Sequence, residues 1–119
     1  MQPRKSFANI SNCRDIIQCA FSLSDFEIEV YRSAASHGPI RADDLADHMR
    51  RDRSTVYRAL QRLLACEMVY REARSLNKGG YYHVYTGIGR DELRAKLEKC
   101  IEEWTHRMQN ALNNFDECI

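Results

Sequence analysis

Within nine residues the chain places Arg53, Ser54, Thr55, Tyr57, Arg58 and Gln61, with Arg62 on their flank, and no carboxylate falls between Arg53 and Cys66. Guanidinium forks, hydroxyls and an amide are the groups that bind phosphate oxygens and read base edges. The intervening residues explain how such groups would share a surface. Val56, Ala59, Leu60, Leu63 and Leu64 recur at helical spacing and predict a buried stripe, which leaves the polar residues on the opposite side. Asp52 is a favourable N-cap, because a carboxylate there accepts hydrogen bonds from the first-turn N–H groups. On its own this helix is equally well read as an amphipathic helix with a solvated basic side. The elements around it decide between the two.

Other reactive groups are present in less organised form. Five cysteines (Cys13, Cys19, Cys66, Cys100 and Cys118) are an odd number with no Cys-x-x-Cys pair, which argues against a disulfide framework or a zinc ribbon. Buried thiols acting as small hydrophobes are the simpler interpretation. Redox sensing is the alternative, with Cys66, Cys100 and Cys118 as its candidates. His37, His48, His83 and His106 are scattered, so no metal site is expected. There is no Gly-rich phosphate loop, nucleophile elbow or paired-carboxylate arrangement, so no enzyme and no cofactor are expected.

The elements that must position the basic run follow from local signals. Residues 1–12 are expected to be a flexible arm, in which Arg4 and Lys5 are within reach of a DNA backbone. Cys13 to Phe21 reads as a short helix. Ser24-Asp25-Phe26-Glu27 is a capping box that opens a helix through Ala35, which ends at His37-Gly38-Pro39 with the glycine in a left-handed cap. A third helix carries Leu45, Ala46 and Met49 inward. Arg50-Arg51-Asp52 then leads into the basic helix, so the pair reads as a helix-turn-helix. After Cys66-Glu67 the period changes. Met68–Ala73 and Tyr81–Thr86 read as strands, and Arg74–Gly80 as the hairpin loop between them. A helix-turn-helix followed by a hairpin is a winged helix, with Arg74, Asn77 and Lys78 at the wing.

From Arg90 to about Phe115 there is no Gly or Pro. Leu97, Ile101, Trp104, Met108, Ala111 and Phe115 step alternately by four and three, and Leu93 extends the series imperfectly. Such a seam predicts a long dimerisation helix. The expected fold is therefore mainly α with a small β-hairpin: a winged helix-turn-helix over 13–88 and a C-terminal dimerisation helix over 89–119.

Charge distribution agrees with this layout. Net charge is only +1, but Arg50 to Lys78 holds eight basic and three acidic residues, while Arg90 to Ile119 holds five basic and seven acidic. A basic middle is expected if that part meets phosphate. No apolar run is long enough for a membrane span or signal core, so a cytoplasmic location is expected. The partners expected are double-stranded DNA and a second copy of the chain, with no membrane and no identifiable small-molecule ligand.

Three segments together resemble archaeal TrmB-type transcriptional regulators: Leu23-Ser24-Asp25-Phe26-Glu27-Ile28-Glu29-Val30-Tyr31, Gly38-Pro39-Ile40, and Arg53-Ser54-Thr55-Val56-Tyr57-Arg58-Ala59-Leu60. Glu102-Glu103-Trp104 and Met108 resemble the helix after the wing. The resemblance implies a dimeric DNA-binding regulator in which Arg53, Ser54, Thr55, Tyr57 and Arg58 lie on the recognition helix; their polar side chains and position make Arg50, Arg51, Gln61 and Arg62 further candidate DNA contacts. The chain departs from the pattern at both ends of that helix. Arg50-Arg51 stands where a glycine and an apolar residue are usual, and Cys66-Glu67 where Lys-Gly is usual. Glu67 must then close the helix without glycine's freedom at positive φ. Full-length members carry a C-terminal sugar-binding domain with no counterpart in these residues, so sugar sensing is not carried over. A winged helix that docks a protein, with its arginines solvated, is the contrasting possibility.

Overall fold

The computed structural model describes residues 10–119, except the side chain of Cys118. Residues 1–9 of the expected arm, with Arg4 and Lys5, lie outside the described residues. The order is α1 (Cys13–Phe21), α2 (Asp25–His37), α3 (Ala42–Met49), α4 (Arg53–Ala65), β1 (Val69–Ser75), β2 (Tyr81–Gly87), α5 (Arg90–Asn113) and α6 (Phe115–Cys118). The chain forms two compact units, one ending at Gly89 and one comprising Arg90–Ile119.

In the first unit, α2, α3 and α4 pack around a core that includes Val30, Leu45, Val56, Leu60, Leu63 and Met68, all essentially inaccessible to solvent. Each buried aliphatic side chain of this kind stabilises the fold by about 1.5–3 kcal/mol over its exposed state. The capping box opens α2 as expected: Glu27 N–H donates to Ser24 Oγ at 3.1 Å, and Ser24 N–H donates to Glu27 Oε1 at 2.8 Å. Tyr31 carries a polar tip into the core and donates its hydroxyl to the Ile88 carbonyl at 2.6 Å, tying α2 to the segment after the hairpin.

Strands β1 and β2 are antiparallel, in a register running from Val69 opposite Gly87 to Ser75 opposite Tyr81. Arg74 and Ser75 therefore belong to the strand, and the loop shortens to Leu76–Gly80, with Gly79 and Gly80 at positive φ. A third extended residue joins the sheet. Ile40 N–H donates to the Tyr85 carbonyl at 3.0 Å, and Tyr85 N–H donates to the Ile40 carbonyl at 2.7 Å.

Two local expectations need correction. Gly38 ends α2 with φ −70° and ψ 155°, extended rather than left-handed. Glycine is required there by proximity: a Cβ would stand 2.5 Å from the Ala34 carbonyl oxygen and 2.9 Å from both Thr86 Cα and the Tyr85 carbonyl oxygen. The second correction is in the C-terminal unit. The long helix stops at Asn113, and Phe115 begins a separate short turn. The Asn114 side chain donates to the Asn110 carbonyl at 3.4 Å and its N–H donates to the Ala111 carbonyl at 3.2 Å, so the backbone tightens there. Asparagine is a poor helix interior residue for this reason, and the heptad count does not carry through unbroken to Phe115.

Candidate nucleic-acid interface

The basic run occupies α4, and its sidedness follows the stripe. Val56, Ala59, Leu60 and Leu63 are buried, while Arg53, Ser54, Tyr57 and Arg58 are exposed. Asp52 caps the helix by accepting the Thr55 N–H at 3.1 Å, and the Ser54 and Thr55 hydroxyls also donate to the same carboxylate oxygen. These bonds, the one from Ser54 foremost, hold the Asp52 carboxyl below its ordinary range. Two of the hydroxyls expected to face a nucleic acid are thus engaged by the cap.

The arginines divide by what they touch. Arg53 forms an ion pair with Asp43 of α3, its Nε 2.8 Å from Oδ1. Arg58 stays exposed, with Nη2 3.5 Å from Thr55 Oγ1. Arg51 lies over the Phe26 ring, its Cζ 4.5 Å from the centroid, which fixes the turn against α2. Arg62, also exposed, is tethered to the fold: Nε lies 2.7 Å from Glu27 Oε2 and Nη2 donates to the Ser22 carbonyl at 3.0 Å. It therefore ties α4 to the start of α2, a role that depends on partners about 40 residues away in sequence. Gln61 is half-buried, and its Nε2 is enclosed with no hydrogen-bond partner among the described residues.

Both turns around α4 use residues at positive φ, Arg50 at 54° and Glu67 at 60°. Glu67 N–H donates to the Leu64 carbonyl at 3.0 Å and Met68 N–H to the Leu63 carbonyl at 2.9 Å. This is a Schellman closure, and Met68 and Leu63, both fully buried, supply its apolar contact. Cys66 sits inside that turn, with Sγ 3.6 Å from the Leu63 carbonyl oxygen.

At the wing, Asn77 and Lys78 are exposed on the tip, and Arg74 Nε lies 3.6 Å from Glu72 Oε1. Leu76 is also exposed there, an apolar tip residue that the polar reading of the loop passed over. In the C-terminal unit, Leu93, Leu97, Ile101, Trp104, Met108 and Ala111 lie along α5, and Phe115 opens α6. Ile101, Met108 and Phe115 are exposed, and so is Leu112, which the heptad count missed. Cys13, Cys19, Cys66 and Cys100 form no disulfide. His37 and His48, far apart in sequence, stack with ring centroids 4.6 Å apart. Among the described residues no group of three or more potential ligands could hold a metal ion, and no helix is long and apolar enough to cross a membrane.

Comparison with known proteins agrees with this architecture. An uncharacterized protein of Methanocaldococcus jannaschii is 35% identical over 101 residues, covering 85% of this chain and 76% of the relative. A possible transcriptional regulator from Methanosarcina mazei Go1 superposes with a TM-score of 0.76 at 26% identity, covering 95% of this chain and 97% of its own. A MarR protein from Peptoclostridium difficile, 20% identical, shares the fold alone, with a TM-score of 0.52 over 86% of this chain and 64% of its own. Residues 17–89 match the family model described as sugar-specific transcriptional regulator TrmB. The winged helix-turn-helix, its exposed basic helix and these similarities lead to one assignment: the chain belongs to the TrmB family of transcriptional regulators.

Proposed function

We propose that the protein is a sequence-specific duplex-DNA-binding regulator that acts as a homodimer. The observation that carries this reading is the sidedness of α4. One side is buried in the core, and the other presents Arg53, Tyr57 and Arg58 to solvent next to the exposed Arg50. A helix of this kind enters the major groove with its N-terminal half, and the wing tip at Asn77 and Lys78 reaches the neighbouring backbone. Affinity for a random-sequence duplex, measured at low salt and again as salt rises, tests it. A steep fall is expected as arginine and lysine contacts displace counterions. No measurable binding at low salt favours the protein-docking alternative.

The second copy is argued from the C-terminal unit, where Ile101, Met108 and Leu112 of α5 are exposed, as is Phe115 at the start of α6. A stripe of large apolar side chains is stable in water only when covered, and a seam stepping by four and three is matched by another copy of itself. Sedimentation of the chain and of a double variant, Ile101→Asp with Met108→Asp, checks this; the variant is expected to be monomeric. A thiol input completes the reading, with Cys66 as its seat because Sγ lies in the turn that joins α4 to the wing. An oxidant should weaken DNA binding by wild type and spare Cys66→Ser, and unchanged wild-type affinity removes the thiol input.

A further inference from the structure

The first turn of α4 contains three side chains suited to base reading, and two of them are committed elsewhere. Ser54 and Thr55 both direct their hydroxyls to Asp52. Arg53 is different. Its guanidinium is ion-paired with Asp43, Nε lying 2.8 Å from Oδ1, and neither terminal nitrogen makes a hydrogen bond among the described residues. The side chain remains 74% exposed. An arginine held at Nε keeps its Nη1/Nη2 edge open, and that edge presents the paired donors that guanine O6 and N7 accept.

We propose that Asp43 of α3 is a positioning residue for sequence reading, orienting the Arg53 fork toward a guanine edge while its own charge disfavours a phosphate at the same place. The proposal rests on the DNA-binding reading of α4 given above. Two consequences follow from the geometry. An arginine with a free fork turns toward whichever acceptor is nearest, and on duplex DNA phosphate oxygens outnumber base edges. With the guanidinium paired to a carboxylate at its Nε side, the fork is biased away from other acceptors. The carboxylate also stands beside the guanidinium where a phosphate would otherwise pair with it, so it penalises binding that lacks the base contact. Exposed ion pairs of this type contribute little to folding stability. The effect of Asp43 is therefore on discrimination.

The test uses the full 119-residue chain and two probes: the preferred duplex recovered from a random-sequence pool by wild type, and a random-sequence duplex of equal length. Asp43→Asn is expected to bind the random duplex more tightly and to lose about tenfold in the ratio of preferred to random affinity, within the discrimination one bidentate arginine–guanine contact supplies. The loss should map to a single guanine position. Arg53→Lys should show the same loss, and adding it to Asp43→Asn should lower the ratio no further. A ratio cancels any change in the folded fraction, because both probes meet the same protein. An unchanged ratio in Asp43→Asn, or a loss spread evenly over all positions, overturns the proposal. Wild type that binds neither probe overturns the DNA-binding reading and the proposal with it; wild type that prefers its selected duplex while Asp43→Asn keeps that preference overturns the proposal alone.

Discussion

Two turns bracket α4, and their backbones are built the same way. Before the helix, Arg50 N–H returns to the Asp47 carbonyl at 3.2 Å and Arg51 N–H to the Ala46 carbonyl at 3.0 Å; after it, Glu67 and Met68 return to Leu64 and Leu63. Each turn holds a non-glycine residue at positive φ. The side chains make the two turns different. The residue after Arg50 is an arginine lying over Phe26, whereas the residue after Glu67 is a methionine sealed in the core. The residue at positive φ is cationic on the side where α4 begins and anionic where it ends. One backbone device thus serves two purposes: the first turn adds positive charge at the N-terminus of α4, and the second anchors the wing to the core.

Three predictions bear on that contrast, beginning with the largest effect. Met68→Ala removes the apolar lock of the second turn and should lower unfolding free energy by about 2–5 kcal/mol, measured by chemical denaturation. A loss well below this range would mean that the second turn is held by its backbone bonds rather than by its buried methionine. Arg50→Gly and Glu67→Gly should each raise stability by about 1 kcal/mol, because glycine adopts positive φ without the steric conflict of a Cβ. On DNA the two should part. Arg50→Gly lowers the magnitude of the salt slope by about 1, as expected for a lost phosphate contact, and Glu67→Gly leaves it unchanged. Equal salt slopes would erase the functional difference between the turns.

The smallest effect concerns the cap that follows the first turn. Hydrogen bonds from Ser54 and Thr55 keep the Asp52 carboxyl below its ordinary value of 3.8, so the folded chain favours its ionised form. The cap's contribution is therefore present above that value and is lost as pH falls through the lowered one. Stability curves of wild type and Asp52→Ala should differ at neutral pH and converge in acid. Curves that stay parallel into strong acid would show that the carboxylate charge does not matter to the cap.

The parts of this fold that were legible in the sequence are those whose causes are local. The capping box at Ser24 and Glu27, the Asp52 cap and the left-handed closure at Glu67 each involve residues within a few positions of one another. The period of the α4 stripe was equally readable, because a helix presents its sides at fixed spacing. Distant partners were not legible. Gly38 needs to be glycine because the Ala34 carbonyl within α2 and Tyr85 and Thr86 from the hairpin all approach it, and no pattern near Gly38 announces that strand. Arg62 is exposed as its place on the flank of α4 suggests, but its contacts with Glu27 and Ser22 come from residues far away in sequence that no local pattern announces. The pairing of Asp43 with Arg53 is illegible for a related reason: an acidic residue at a helix N-terminus is already accounted for by the helix dipole. The break at Asn114 had a local signal in two consecutive asparagines, and the stronger heptad rhythm obscured it.

The exchange of bonds between Ile40 and Tyr85 gives the wing the mechanics of a cantilever. Tyr85 is clamped on both sides, by Arg71 within the hairpin and by Ile40 outside it. Beyond Tyr82, where the Arg41 guanidinium lies over the ring 4.8 Å from its centroid, the hairpin continues to its tip with exposed residues on both sides of the turn. Bending is therefore concentrated toward the tip, and sliding of one strand past the other is blocked at the root. The root, by contrast, is tied to α4 through Met68, whose N–H donates to the Leu63 carbonyl and whose carbonyl accepts from Ile88.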